Sequence, residues 1–123
     1  MIKIFKIHDN SGNFLKVNYV DDKNRFAGFD LRHQCCEHTE HWIESSDGVR
    51  INPDWCGTFD NLRFTDDDPI ESGDDYHCDQ RVTFKLIDIK TEKEYHLVFE
   101  NCHNGWYSHE YDYGQIVSTE TRI

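Results

Sequence analysis

Gln80-Arg81-Val82-Thr83-Phe84-Lys85-Leu86-Ile87-Asp88-Ile89-Lys90 decides the fold. Val82, Phe84 and Leu86 recur at every second position among polar residues, the pattern of a strand with one face against a core. The apolar parity then slips to Ile87 and Ile89, which predicts a bulge or twist near Leu86. Thr91-Glu92-Lys93-Glu94 carries turn chemistry, and Tyr95–Asn101 resumes the alternation with Tyr95, Leu97 and Phe99 on one side. The two segments read as a hairpin.

The same period extends outward in both directions. Ile2–Ile7 and Phe14–Val20 read as strands joined by the turn Asp9-Asn10-Ser11-Gly12-Asn13, with Leu15, Val17 and Tyr19 sharing a face. After Asp21-Asp22-Lys23-Asn24, a third strand is expected over Phe26–Cys36 and a fourth from His38 to Glu44, anchored by Trp42 and Ile43. Ser45-Ser46-Asp47-Gly48 is a turn. Asn52 as N-cap, Pro53 at the first helical position and Asp54 in the first turn predict one short turn of helix, which Gly57 ends. Phe59, Leu62 and Phe64 return to the core. Asp66 to Asp79, with Pro69, Gly73 and no Lys or Arg, reads as a loop. Asn104-Gly105 is a hairpin dipeptide leading into a last strand, Trp106–Tyr113, with Gln115–Ile123 as a short terminal addition. The expectation is one mostly-β domain over residues 1–123, α+β at most. It is a twisted antiparallel sheet of about six to eight strands with one or two short helical turns.

Composition narrows the function classes. The chain has 123 residues, enough for one domain with a real core, and a formal charge of −11. That charge argues against direct contact with nucleic acid or an anionic membrane and permits a basic protein partner. No apolar run is long enough for a signal peptide or a transmembrane helix. Five cysteines, an odd number, then read as free thiols in a reducing cytoplasm.

The densest chemistry is His33-Gln34-Cys35-Cys36-Glu37-His38, with His41 beyond it. Thiolates and imidazoles are zinc ligands, and Cys102-His103 adds two more, so His33, Cys35, Cys36, His38, Cys102 and His103 form the candidate metal set. The spacing matches no standard zinc module. In a strand, the adjacent cysteines point to opposite faces and cannot share a metal without a bulge. Cys36 with His38 or His103 and Glu37 is the weaker option of a thiolate–imidazolium enzyme, and no catalytic residue is assigned. The carboxylates Asp66, Asp67, Asp68, Glu71, Asp74 and Asp75 lack the every-second-residue ligand spacing of a calcium loop. With Trp106, Tyr107 and Tyr111 they make a candidate acidic and aromatic partner surface.

Gln34-Cys35-Cys36-Glu37, Cys56-Gly57-Thr58-Phe59-Asp60-Asn61-Leu62, Thr83-Phe84-Lys85-Leu86-Ile87-Asp88-Ile89 and Asn104-Gly105-Trp106-Tyr107-Ser108 follow one another in that order. In that order the chain resembles a family of small uncharacterised proteins of bacteria and their phages. The family is typified by a Cys-Cys-Glu motif and a C-terminal Asn-Gly-Tyr-Tyr-Ser element. The resemblance covers about residues 26–113. Trp106 stands for the usual Tyr, and histidines stand where the family more often has Asp or Ser. It implies the fold and a phage-associated origin, and no activity.

The leading expectation is a non-enzymatic, cytoplasmic binding protein, monomer or homodimer, without a cofactor. It docks its acidic, aromatic surface on a host protein, as a nucleic-acid mimic against a defence protein. The alternative is a zinc-binding domain.

Overall fold

A computed structural model describes residues 1–32, 38–73, 79–102 and 110–116, with the backbone alone for His38 and Asp79. Two antiparallel sheets face each other. Sheet A contains β1 (Ile2–His8), β2 (Phe14–Asp21), β3 (Arg25–Asp30), β6 (Thr58–Phe59) and β11 (Tyr111–Gln115), in the order β11-β3-β2-β1-β6. Sheet B contains β4 (His38–Ser45), β5 (Arg50–Ile51), β7 (Leu62–Phe64), β9 (Asp79–Asp88) and β10 (Glu94–Cys102), in the order β5-β4-β10-β9-β7, with β8 (Ile70–Ser72) also on β9. The chain is therefore all-β among the described residues, with alternation split between two layers instead of one sheet.

The period-two pattern fills the space between the layers. Sheet A contributes Ile2, Val17, Tyr19, Ala27 and Phe29, and sheet B contributes Ile43, Val82, Phe84, Leu86, Leu97 and Phe99, all buried. Phe29 stacks on Phe99 at 4.8 Å between ring centroids, and Phe84 meets Phe99 edge-on at 5.3 Å. These offset and T-shaped pairs add to the area that the rings remove from water. Outside sheet B, Trp42 lies under the Arg50 guanidinium at 3.8 Å, and its Nε1 donates to Glu44 at 2.6 Å. The guanidinium covers the indole, which is why a tryptophan is buried on an outer face.

Four details correct the sequence reading. The third strand stops at Asp30, short of the cysteines. The β9–β10 register runs without interruption from Cys102↔Asp79 to Glu94↔Ile87, so no bulge forms near Leu86. Ile89 lies past the end of β9, where its N–H donates to Asn61 O at 2.8 Å, and needs no place in the alternation. The expected loop after Asp66 contains β8, paired with Thr83, Val82 and Arg81.

The fourth correction is the helix start at Asn52, which is a tight turn carrying the chain from β5 of sheet B to β6 of sheet A. Asp54 N–H donates to Thr58 O, Gly57 N–H donates to Asp54 O, and Asp54 Oδ1 accepts from the N–H groups of Cys56 and Thr58. Gly57 supplies the positive φ of 75° that this turn requires. The same bonds recur at Asp9-Asn10-Ser11-Gly12-Asn13, with Gly12 at φ 85°. Asp54 therefore serves a chain reversal, and its bonds to the backbone replace those that would cap a helix.

Candidate functional site

One edge of the sandwich gathers most of the described acidic and aromatic candidates. β7 delivers the chain to Asp66, Asp67 and Asp68, where Thr65 Oγ1 accepts from the Asp67 N–H at 3.2 Å. Arg25 pairs with Asp66 at 2.5 Å, and Lys85 lies 3.5 Å from Asp67 and 3.3 Å from Glu94. Those two carboxylates, Glu94 first, hold the Lys85 ammonium above its usual value. Asp68 has no cation partner among the described residues. β8 then brings Glu71 under β11 of the opposite sheet, where the Tyr111 hydroxyl donates to Glu71 Oε1. That hydrogen bond, more than burial, pushes the Tyr111 phenol up to about 12.

Tyr111 and Tyr113 point inward from β11, their rings 6.4 Å apart and nearly parallel, and both meet Phe84 edge-on. Beside them lies a cleft of about 330 Å³, walled by Phe26, Phe64, Phe84 and Tyr113 and rimmed by the three aspartates, Arg25 and Lys85. Asp66, Asp67, Asp68, Glu71 and Tyr111, far apart in sequence, therefore share one edge. Tyr113, half-exposed, is on the same edge. Its parity with Tyr111 on one strand is the signal that identifies it. Asp74, Asp75, Trp106 and Tyr107 lie outside the described residues.

The candidate metal set divides in the same way. Cys102, partly buried, is opposite His38 in the β10–β4 register and opposite Asp79 in the β10–β9 register. One end of sheet B thus holds two members of the set in one row. His33, Cys35, Cys36 and His103 lie outside the described residues, as does Glu37 of the candidate cysteine enzyme. Among the described residues no group of three or more His, Cys, Asp or Glu could hold a metal ion. Cys56 stands apart, exposed beside Trp55 at the tip of the Asp54 turn, where Trp55 is 96% exposed.

His41 has a role that spacing alone did not reveal. It lies on the inward face of β4, and its Nδ1 is 2.6 Å from the Tyr19 hydroxyl of sheet A. Burial, with Lys6 adding to it, brings the His41 imidazole down to about 4. Burial also holds the Tyr19 phenol well above its usual value. At neutral pH the phenol therefore keeps its proton and His41 is neutral, so a single proton is shared along the Tyr19–Nδ1 line and the tautomer of the ring sets which group donates.

No helix among the described residues is long and apolar enough to cross a membrane. Comparison with protein-family models, with curated proteins and with solved structures finds no match to this chain.

Proposed function

We propose that this is a non-enzymatic binding protein that docks the edge formed by Asp66–Asp68, Glu71, Tyr111 and Tyr113 onto a basic protein surface. One observation carries the reading: strands from both sheets bring these carboxylates and rings together around an aromatic-walled cleft. Asp66 is 89% exposed even in its pair with Arg25, and exposed pairs of this kind contribute only about 0–1 kcal/mol. A partner's arginine can replace Arg25 or Lys85 at little cost, while the half-exposed Tyr113 offers a face for its guanidinium. Carboxylates spaced along such an edge stand where phosphates stand in a nucleic-acid ligand, so the partner class is a protein that binds nucleic acid through a basic groove.

The test is affinity capture from bacterial lysate with identification by mass spectrometry, using the native chain and an Asp66→Asn/Asp68→Asn/Tyr113→Ala variant. The expected result is a basic nucleic-acid-binding protein that duplex DNA displaces and that elutes as salt rises from about 0.05 M to about 0.5 M. The variant should lose it. Identical capture by both chains, or capture indifferent to salt and DNA, rejects the reading.

The row His38–Cys102–Asp79 favours a second reading, a zinc-binding end of sheet B. In sequence, Cys35-Cys36, His77-Cys78 and His103 each fall within three residues of that row. Elemental analysis of untagged protein checks it: about one equivalent of zinc is expected, and less than about a tenth rejects it.

A further inference from the structure

At the opposite end of the β-sandwich core from the Asp21 turn, His41 opens onto a cleft of about 680 Å³ that the docking edge does not touch. Its walls include Phe14, Leu15 and Leu31, and its polar lining includes Arg32, Thr39 and Asp9. Among the described residues Asp9 is its lone lining carboxylate, and the turn already occupies it. Asp9 Oδ1 accepts from the N–H groups of Ser11 and Asn13 at 2.8 and 3.0 Å, and Oδ2 from Asn13 Nδ2 at 3.5 Å. On the cationic side, Arg32 is anchored by Asp30, which accepts from Nε at 3.0 Å and Nη2 at 2.9 Å. The Nη1 edge remains for a ligand. Lys6, 5.4 Å from the centroid of the Phe14 ring, adds a second positive charge close enough to act on His41.

The tautomer of His41 completes the site. Tyr19 occupies Nδ1 from the core side, and with its buried hydroxyl as the donor the ring carries its proton on Nε2, the nitrogen left for the cleft that His41 lines. A neutral imidazole held in one tautomer by a buried partner is a directed hydrogen-bond donor that stays a donor across the neutral range. We propose that this cleft binds a small carboxylate with an apolar body, its charged end received by the His41 Nε2–H and the Arg32 Nη1 and its body by Phe14, Leu15 and Leu31. Pockets of this kind combine apolar walls with a few placed polar groups, and a carboxylate on a guanidinium forms a charge-assisted bond.

Nitrogen-15 NMR of the histidine rings tests it, with benzoate as the probe and benzyl alcohol as its uncharged counterpart. The free protein should give a His41 spectrum with the proton on Nε2. Benzoate should shift that signal saturably with a dissociation constant below about 1 mM, and benzyl alcohol should bind at least about tenfold more weakly. Arg32 is exposed, so Arg32→Gln keeps the fold, and it should weaken benzoate at least about tenfold. The proposal is overturned by a His41 proton on Nδ1, by no benzoate shift up to about 10 mM, by equal shifts from the two probes, or by undiminished binding to Arg32→Gln.

Discussion

Asp9, Asp21, Asp54 and Asp88 look no different in the sequence from Asp66, Asp67 and Asp68, yet the structure uses the two groups in opposite ways. Each of the first four turns its carboxylate back onto its own chain. Asp88 accepts from the N–H groups of Lys90 and Thr91, and Asp21 from those of Lys23, Arg25 and, across to sheet B, Phe64. The N–H groups at the turns of Asp9 and Asp88 hold both carboxyls below the usual range. Asp66–Asp68 lie on a rim, where two carboxylates meet exchangeable cations and one meets none among the described residues. Net charge alone is thus a poor guide to a docking surface. What matters is how many carboxylates remain after the turns have taken theirs.

The largest expected effect is at Asp21, which is 4% exposed and joins the sheets. Asp21→Ala leaves the Phe64 N–H buried without its acceptor and should cost about 3–5 kcal/mol in urea unfolding. A loss under about 1 kcal/mol would put Asp21 among the rim acids. Acid titration comes next, through His41. The folded His41 takes its proton only near 4, whereas the unfolded imidazole takes it near 6.5. Stability from this group is therefore whole above about pH 6.5 and falls as pH drops toward about 4, by a total on the order of 3 kcal/mol. His41→Gln should flatten that window. Below it, Asp22, held at about 2 mainly by its hydrogen bonds from Arg63, loses its contribution as pH falls from about 4 to about 2.

Asp54→Ala should cost about 1–2 kcal/mol through two lost turn bonds, measured the same way. The smallest effect belongs to Asp66→Asn/Asp67→Asn/Asp68→Asn, which should change stability by no more than about 0.5 kcal/mol. A larger loss there would erase the distinction between turn acids and rim acids.

Local pattern was legible where it is decided locally. Val82, Phe84 and Leu86, and across the hairpin Leu97 and Phe99, face the core as alternation requires. The segment at Asn52 reads as a helix start because Asn-Pro-Asp suits a helix cap and a tight turn equally well; Gly57, three residues after Asp54, is the discriminating residue. The split into two sheets was beyond period-two reasoning, since alternation assigns a face without naming a partner strand. The site divides along the same line. The acidity of residues 66–68 is plain in the sequence, but the Glu71–Tyr111 bond spans 40 positions and the Tyr19–His41 bond spans 22. Neither has a local signature.

The pairing of β11 with β3 also dictates an order of assembly. β1, β2 and β3 are successive in the chain and zip together through short reversals, whereas Tyr111–Gln115 must find Arg25–Asp30 after sheet B has been synthesised. During that interval β3 presents a bare row of amide and carbonyl groups, the kind of template on which nascent chains exchange strands. Fast arrival of β11 is then a condition for yield as well as for shape, and translation speed between residues 31 and 111 becomes a variable that expression experiments can tune.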